Sequence, residues 1–256
     1  MKDIKSIAVV ILAAGKGTRM NSDIPKVMHR MGGKPMVEYV IQTAGRLKAK
    51  RIILVVGHKW EQTKDLIDRY KVEYVIQEEQ LGTGHAVLQT QELLADFDGD
   101  ILILYGDVPL LTEVTLNKLL EAHRKRKAAA TVLTAILDNP SHYGRIIRDR
   151  RGMVQEIVEV KDASTDQIKV KEINTGIICF DRVALFSALK HIKNNNKQRE
   201  YYLTDAIKII REQNLLIGGL VTTDPVETLG INSPEELSNM ERILLERQTR
   251  QTKVSP

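Results

Sequence analysis

Cysteine is almost absent from this sequence. Its one cysteine, Cys179, lies in the apolar run 173–180, so no internal disulfide and no cysteine zinc cluster can form, and the residue reads as a buried structural thiol. Histidine does not fill the gap: His29, His58, His85, His123, His142 and His191 are scattered, without the i, i+4 pairing of a helical zinc site. Aromatic residues make up only 4%, which leaves little to stack on nucleic-acid bases, and 38 Lys and Arg against 33 Asp and Glu give a mild net charge of +5. Nucleic acid is therefore not the expected partner. The densest basic run, 123–127, closes a helical pattern, where the helix dipole favours a solvated cationic last turn. No apolar stretch approaches the roughly 18 residues that cross a bilayer, and Lys2 and Asp3 lead directly into a strand pattern. A cytoplasmic protein with no membrane partner is expected.

What is present is alternation. Short β-rich runs at 7–12, 52–56, 72–76 and 101–105 are separated by helical patterns at 36–47, 62–70 and 84–94, with another at 114–126. This order predicts a doubly wound, Rossmann-like α/β sheet with helices on both faces, in which ligands sit beyond the C-terminal strand ends. From residue 131 the pattern changes. Runs at 131–137, 144–148, 154–160 and 173–180 predict a β-rich, partly antiparallel extension of the sheet, followed by helices at 181–192 and 202–213 and a strand at 216–222. Ser233, Pro234 and Glu236 form a helix start with Ser at the cap, Pro at the first position and Glu at the third. The expected division is a main domain, 1–232, with parts at 1–130 and 131–232, and then a C-terminal helix and tail, 233–256, frayed from Thr252.

The first strand run ends in the turn LAAGKGTRM, residues 12–20. A dinucleotide fingerprint would need a third glycine where Met20 stands, and a Walker loop would need Lys-Ser/Thr after Gly17, where Thr18 and Arg19 follow. Both readings fail. What remains is a glycine-rich strand-to-helix turn whose amides, with Arg19 and Lys26, could cradle phosphate, or a tight turn carrying two surface cations.

LAAGKGTRM with Pro25-Lys26 resembles the signature of sugar-1-phosphate nucleotidyltransferases, whose sheet is of the GT-A-like type. Further stretches narrow the resemblance to the uridyltransferase domain of bacterial N-acetylglucosamine-1-phosphate uridyltransferases. They are QEEQLGTGHA (77–86), YGDVPL (105–110), YGRI (143–146), VEVKDA (158–163), INTG (173–176), EYYLTD (200–205) and GIN (230–232), in family order over nearly the whole chain. Two positions depart from the pattern: His142 where the family often has Gly, and Arg199 where a small residue precedes Glu200.

The resemblance implies that UTP and N-acetylglucosamine 1-phosphate give UDP-N-acetylglucosamine, a cell-wall precursor, and pyrophosphate, by attack of the sugar phosphate on the α-phosphorus. The nucleophile is already an anion, so catalysis rests on positioning and on neutralising charge. Mg²⁺ is implied as cofactor, held by Asp107 and Asn232, a donor set chemically sufficient for this ion. Leu12, Ala13, Ala14 and Gly15 would wrap the nucleotide, Arg19 would hold the departing pyrophosphate and Lys26 would grip phosphate. Gln77, Gly82 and Thr83 would read uracil. Tyr105 and Gly106 precede Asp107 in the substrate-binding turn, and Gly144, Glu159 and Asn174 would hold the N-acetylhexosamine. The same chemistry with glucose 1-phosphate or dTTP, or a non-catalytic nucleotide-sugar sensor, are the alternatives. Many family members continue into a β-helix of hexapeptide repeats; none is visible before Pro256, so neither acetyltransferase activity nor the trimer organised by that β-helix is expected, and no oligomeric state is assigned.

Overall fold

The computed structural model describes residues 5–57 and 59–254; Lys2, Asp3, His58 and positions 255–256 lie outside the described residues. In chain order the strands are β1 (Ser6–Leu12), β2 (Arg30–Met31), β3 (Lys34–Pro35), β4 (Arg51–Val56), β5 (Glu73–Ile76), β6 (Gly99–Tyr105), β7 (Ala130–Ile136), β8 (Arg145–Arg148), β9 (Val154–Val158), β10 (Glu172–Asp181) and β11 (Ile217–Val221). The α-helices are α1 (Met36–Arg46), α2 (Lys64–Tyr70), α3 (Thr83–Leu88), α4 (Glu113–Arg126), α5 (Thr165–Ile168), α6 (Arg182–Leu189), α7 (Asp205–Glu212) and α8 (Pro234–Val254).

Strand β1 is apolar on both faces, as a central parallel strand must be. Ala8, Val10 and Leu12 join one buried cluster, with residues of α3, α6 and α7. Ile7, Val9 and Ile11 join the other, with residues of α1, α2 and α4. The sheet runs in the order β11-β7-β10-β6-β1-β4-β5, with β8 on β10 and β9 on β8. Strands β5, β4, β1 and β6 are mutually parallel. Strand β10 is antiparallel to both β6 and β7, and β11 is parallel to β7. The doubly wound mixed sheet is thus as expected. The antiparallel strand, however, enters the middle of the sheet, between β6 and β7, rather than extending an edge. Because β10 runs the opposite way, its first residues reach the same edge as the last residues of β1 and β6.

That strand also carries a bulge between Asn174 and Ile178. The Asn174 side-chain Oδ1 accepts from the Gly176 N–H at 3.0 Å, and Thr175 Oγ1 donates to the Leu133 carbonyl at 2.7 Å while accepting from the Ile177 N–H at 3.2 Å. Gly176, at φ +82°, lies against the Tyr105 ring, and a Cβ there would come within 2.6 Å of it.

Several boundaries differ from the sequence reading. The helix expected over 84–94 stops at Leu88, because Thr90 Oγ1 donates to the Val87 carbonyl at 2.7 Å and competes with the helical ladder. The strand expected to reach residue 160 ends at Val158, which leaves Glu159 just beyond it. Helix α8 continues through Val254, past the position expected to fray. The β2–β3 hairpin, too short for a periodic signal, packs Met31 with Met36, Leu110, Ile231 and Met240, and so seats α8 against the main body.

Phe180, near the C-terminal end of β10, is the largest fully buried side chain among the described residues. Phe180→Ala is expected to cost about 3–5 kcal/mol, and exposed Val183→Ala less than about 1 kcal/mol, read from urea unfolding midpoints.

Candidate active site

The parallel register of β1 and β6 sets Leu12 opposite Tyr105, and the Gly106 N–H donates to the Leu12 carbonyl at 2.9 Å. Asp107 follows at once, and its own carbonyl accepts from the Ile231 N–H at 2.9 Å. The Lys26 ammonium lies between two oxygens. It is paired with Asp107 Oδ2 and donates to Asn232 Oδ1 at 3.0 Å. Three distant segments therefore meet on one cationic atom.

Glycines make that meeting possible. Gly17 has φ +62°, and a Cβ there would lie 2.5 Å from Lys26 Cβ, so only glycine lets the loop close over the lysine stem. Ala14 leans on Gly57, where a Cβ would meet the Ala14 carbonyl at 2.6 Å, and the Ala13 N–H donates to the Val55 carbonyl at 2.8 Å. Leu12, Ala13 and Ala14 are buried, whereas Gly15 opens to solvent. Arg19 is exposed and, among the described residues, forms no hydrogen bond or ion pair. Its charge acts on the nearby His142 and Tyr143.

A second group forms at the end of β5. Gln77 is buried; its Nε2 donates to the Gly82 carbonyl at 3.1 Å and contacts His85 Nδ1 at 3.0 Å. Segment 81–84 pairs with 201–203. The Tyr201 N–H donates to Leu81 O and the Gly84 N–H to Tyr201 O, both at 2.7 Å, and the Leu203 N–H donates to Thr83 Oγ1 at 3.1 Å. Gly82, at φ +109°, would set a Cβ 2.7 Å from the Tyr201 carbonyl.

The third group lies across the sheet. The Asn174 N–H donates to the Gly144 carbonyl at 2.8 Å, and a Cβ on Gly144 would come within 3.4 Å of Glu159 Oε2. Glu159 Oε1 accepts from the Thr204 hydroxyl at 3.1 Å. Burial pushes the Glu159 carboxyl up, and the neighbouring charges of Asp205, Asp162 and Glu200 add to this against the Thr204 bond. Tyr105 joins the groups. Its hydroxyl lies near Thr83, and its acidity is depressed first by burial and then by the charges of Glu159 and Asp107.

The structure thus brings Lys26, Asp107 and Asn232 into direct contact, groups Gln77 with Gly82 and Thr83, and groups Gly144 with Glu159 and Asn174. It leaves Arg19 and Gly15 at the open rim. Tyr143, Gly176, Thr204, Gly230 and Glu236 were not singled out from sequence as site residues, yet all contact these groups. The motifs YGRI, INTG, EYYLTD and GIN contained four of them. Among the described residues no three His, Cys, Asp or Glu side chains converge as a metal centre. A cavity of ≈ 1170 Å³ opens at the opposite edge, beside Lys5, Asp100, His123 and Leu216, and is lined by none of the motif residues.

A family model described as "MobA-like NTP transferase domain" matches residues 9–202. "Bifunctional protein GlmU" of Syntrophomonas wolfei is 44% identical over 249 residues, covering 97% of this chain and 55% of the relative. The protein of the same name from Acetivibrio thermocellus is 46% identical over 244 residues (95% and 53%), and that from Lactobacillus delbrueckii is 48% identical over 239 residues (93% and 52%). The chain spans about half the length of the curated relatives it matches. Among solved structures, a UDP-glucose pyrophosphorylase complexed with UDP-glucose superposes with a TM-score of 0.76 at 17% identity, covering 94% of this chain and 99% of that one, a likeness of fold.

Glu159 sets a pH test. Its carboxyl is raised in the folded protein, so its ionised form is disfavoured there, and the cost enters as pH rises through the ordinary carboxylate range. Glu159→Gln, which keeps an acceptor for Thr204, is expected to be more stable than the parent at pH 7. The advantage disappears by about pH 4, where the carboxyl is protonated folded or unfolded, as urea midpoints at both pH values would read.

Proposed function

The chain belongs to the MobA-like NTP transferase family, and from that premise we propose that it transfers a uridylyl group from UTP to N-acetylglucosamine 1-phosphate, releasing pyrophosphate. The observation that carries the reading is the Lys26 ammonium held by Asp107 Oδ2 and Asn232 Oδ1 at the ligand edge of the sheet. Two hard oxygens from separate loops converge on one cation, the donor chemistry that suits Mg²⁺ with its remaining positions filled by phosphate and water. In this reading Asp107 and Asn232 hold the ion. When bound, Mg²⁺ supplies charge neutralisation on the phosphates.

The chain's own groups do the rest. A phosphate oxygen of the sugar 1-phosphate forms a bond to the α-phosphorus of UTP as the bond to pyrophosphate breaks, so no proton must move and no general base is required. Lys26, one side chain from both carboxylate and amide, grips phosphate during transfer, while Arg19, unpaired at the rim, takes the departing pyrophosphate. The backbone from Leu12 to Gly15 wraps the nucleotide. Gln77 donates its Nε2 to Gly82, which leaves Oε1 to accept from the imide N–H of uracil, a donor that cytosine lacks. Gly82 and Thr83 complete that edge, and Tyr105 and Gly106 set the turn that presents Asp107. Across the sheet Gly144 allows close approach of the sugar, Glu159 accepts from its hydroxyls, and Asn174, its Oδ1 committed to Gly176, offers Nδ2 to hydroxyl or acetamido oxygen.

Residues 1–130 thus serve the nucleotide and 131–232 the sugar. Among the described residues no helix is long and apolar enough to cross a membrane, in keeping with work in the cytoplasm where nucleoside triphosphates are available.

With Mg²⁺, a panel of nucleoside triphosphates including dTTP, and several sugar 1-phosphates, pyrophosphate release is expected with UTP and N-acetylglucosamine 1-phosphate. Release with glucose 1-phosphate alone would replace the sugar, and release with no pair would remove the enzyme reading. Asp107→Ala is expected to lose several kcal/mol of transition-state stabilisation, read from kcat/KM.

A further inference from the structure

Asn232 is held more tightly than its place in a loop suggests. Its Nδ2 donates to the Gly230 carbonyl at 3.3 Å, which turns Oδ1 toward Lys26 and Asp107. The Gly230 N–H donates to Tyr143 Oη at 3.2 Å, and the Ile231 N–H to the Asp107 carbonyl. The backbone N–H of Asn232 donates to Glu236 Oε2 at 2.6 Å, the shortest of these bonds and the one made to a charged acceptor.

Glu236 stands in the first turn of α8, and its own N–H donates to Ser233 Oγ at 3.2 Å, half of a capping box. In such a box the glutamate returns to the N–H of the capping residue. Here the carboxylate reaches one residue further back, past Ser233, to Asn232. A helix cap alone does not call for that target. The carboxylate also lies close enough to Tyr143 and His142 for its charge to act on both, so it borders the mouth of the site.

We propose that Glu236 is a positioning residue for the cation site: its carboxylate fixes the Asn232 backbone so that the amide Oδ1 points at the ion shared with Asp107. The proposal rests on the reading of Asp107 and Asn232 as metal ligands. It makes the first turn of α8 part of the cation-binding apparatus.

The test is Mn²⁺ binding to the free protein, followed by electron paramagnetic resonance without nucleotide, alongside urea unfolding. Glu236→Ala is expected to weaken Mn²⁺ binding about tenfold, the scale of losing a group that orients a metal ligand. Glu236→Gln, which keeps an acceptor oxygen for the Asn232 N–H, is expected to restore most of that affinity. Ser233→Ala removes the other half of the cap, so it is expected to lower stability while leaving Mn²⁺ affinity at the parent value. Equal loss of affinity in Glu236→Ala and Ser233→Ala, or none in Glu236→Ala, would reduce Glu236 to a helix cap, and absence of Mn²⁺ binding by the parent would overturn the proposal outright. Should the parent bind Mn²⁺ with this pattern of variants yet release no pyrophosphate, the uridylyl-transfer reading falls and the positioning role stands.

Discussion

One ammonium group organises this molecule's ligand edge. Lys26, Asp107 and Asn232 arrive from the loop after β1, the end of β6 and the segment before α8, and they meet with little solvent around them. Two of the three are charged, and removing one partner of a shielded ion pair costs far more than the pair itself contributes. The surrounding architecture follows from keeping them in register: the parallel pairing that aligns Leu12 with Tyr105, the glycine at position 17 that lets the loop fold onto the lysine stem, and the hairpin that seats α8.

The groups around Gln77 and around Glu159 are tied to one another as well as to this centre. Segment 81–84 pairs through its backbone with 201–203, which leads directly into Thr204 and its bond to Glu159. Tyr105 spans the same gap, with its ring on Gly176 and its hydroxyl near Thr83. Such an arrangement suits a reaction in which two phosphates must lie in line before anything happens.

Much of the first half of the chain was legible from periodicity alone, because buried parallel strands and the helices between them differ sharply in pattern. The loop after β1 was legible as a glycine-rich turn carrying Arg19 and Lys26, and its resemblance to a family named the role proposed for it. The insertion of β10 was not legible. Periodicity reports that a strand exists and says nothing of its neighbours or direction, so Asn174 could be named from a motif while the bulge that aims it could not. Contacts between residues far apart in sequence escaped for the same reason: Tyr143 with Gly230 and Thr204 with Glu159 leave no local trace. Ser233 caps the helix start as its spacing to Glu236 predicts, but the spacing could not reveal that the Glu236 carboxylate serves Asn232 rather than Ser233.

Lys26 and Asn232 stand 206 positions apart. Joining them closes nearly the whole chain into a loop, with the entropy that such closure costs, and contacts of this span form late in folding. During synthesis the cation pocket therefore has no third wall until almost the entire sheet has left the ribosome. In the finished protein the converse is expected: with Asn232 as a cation ligand, as proposed, cation occupancy and the order of the segment before α8 are thermodynamically linked.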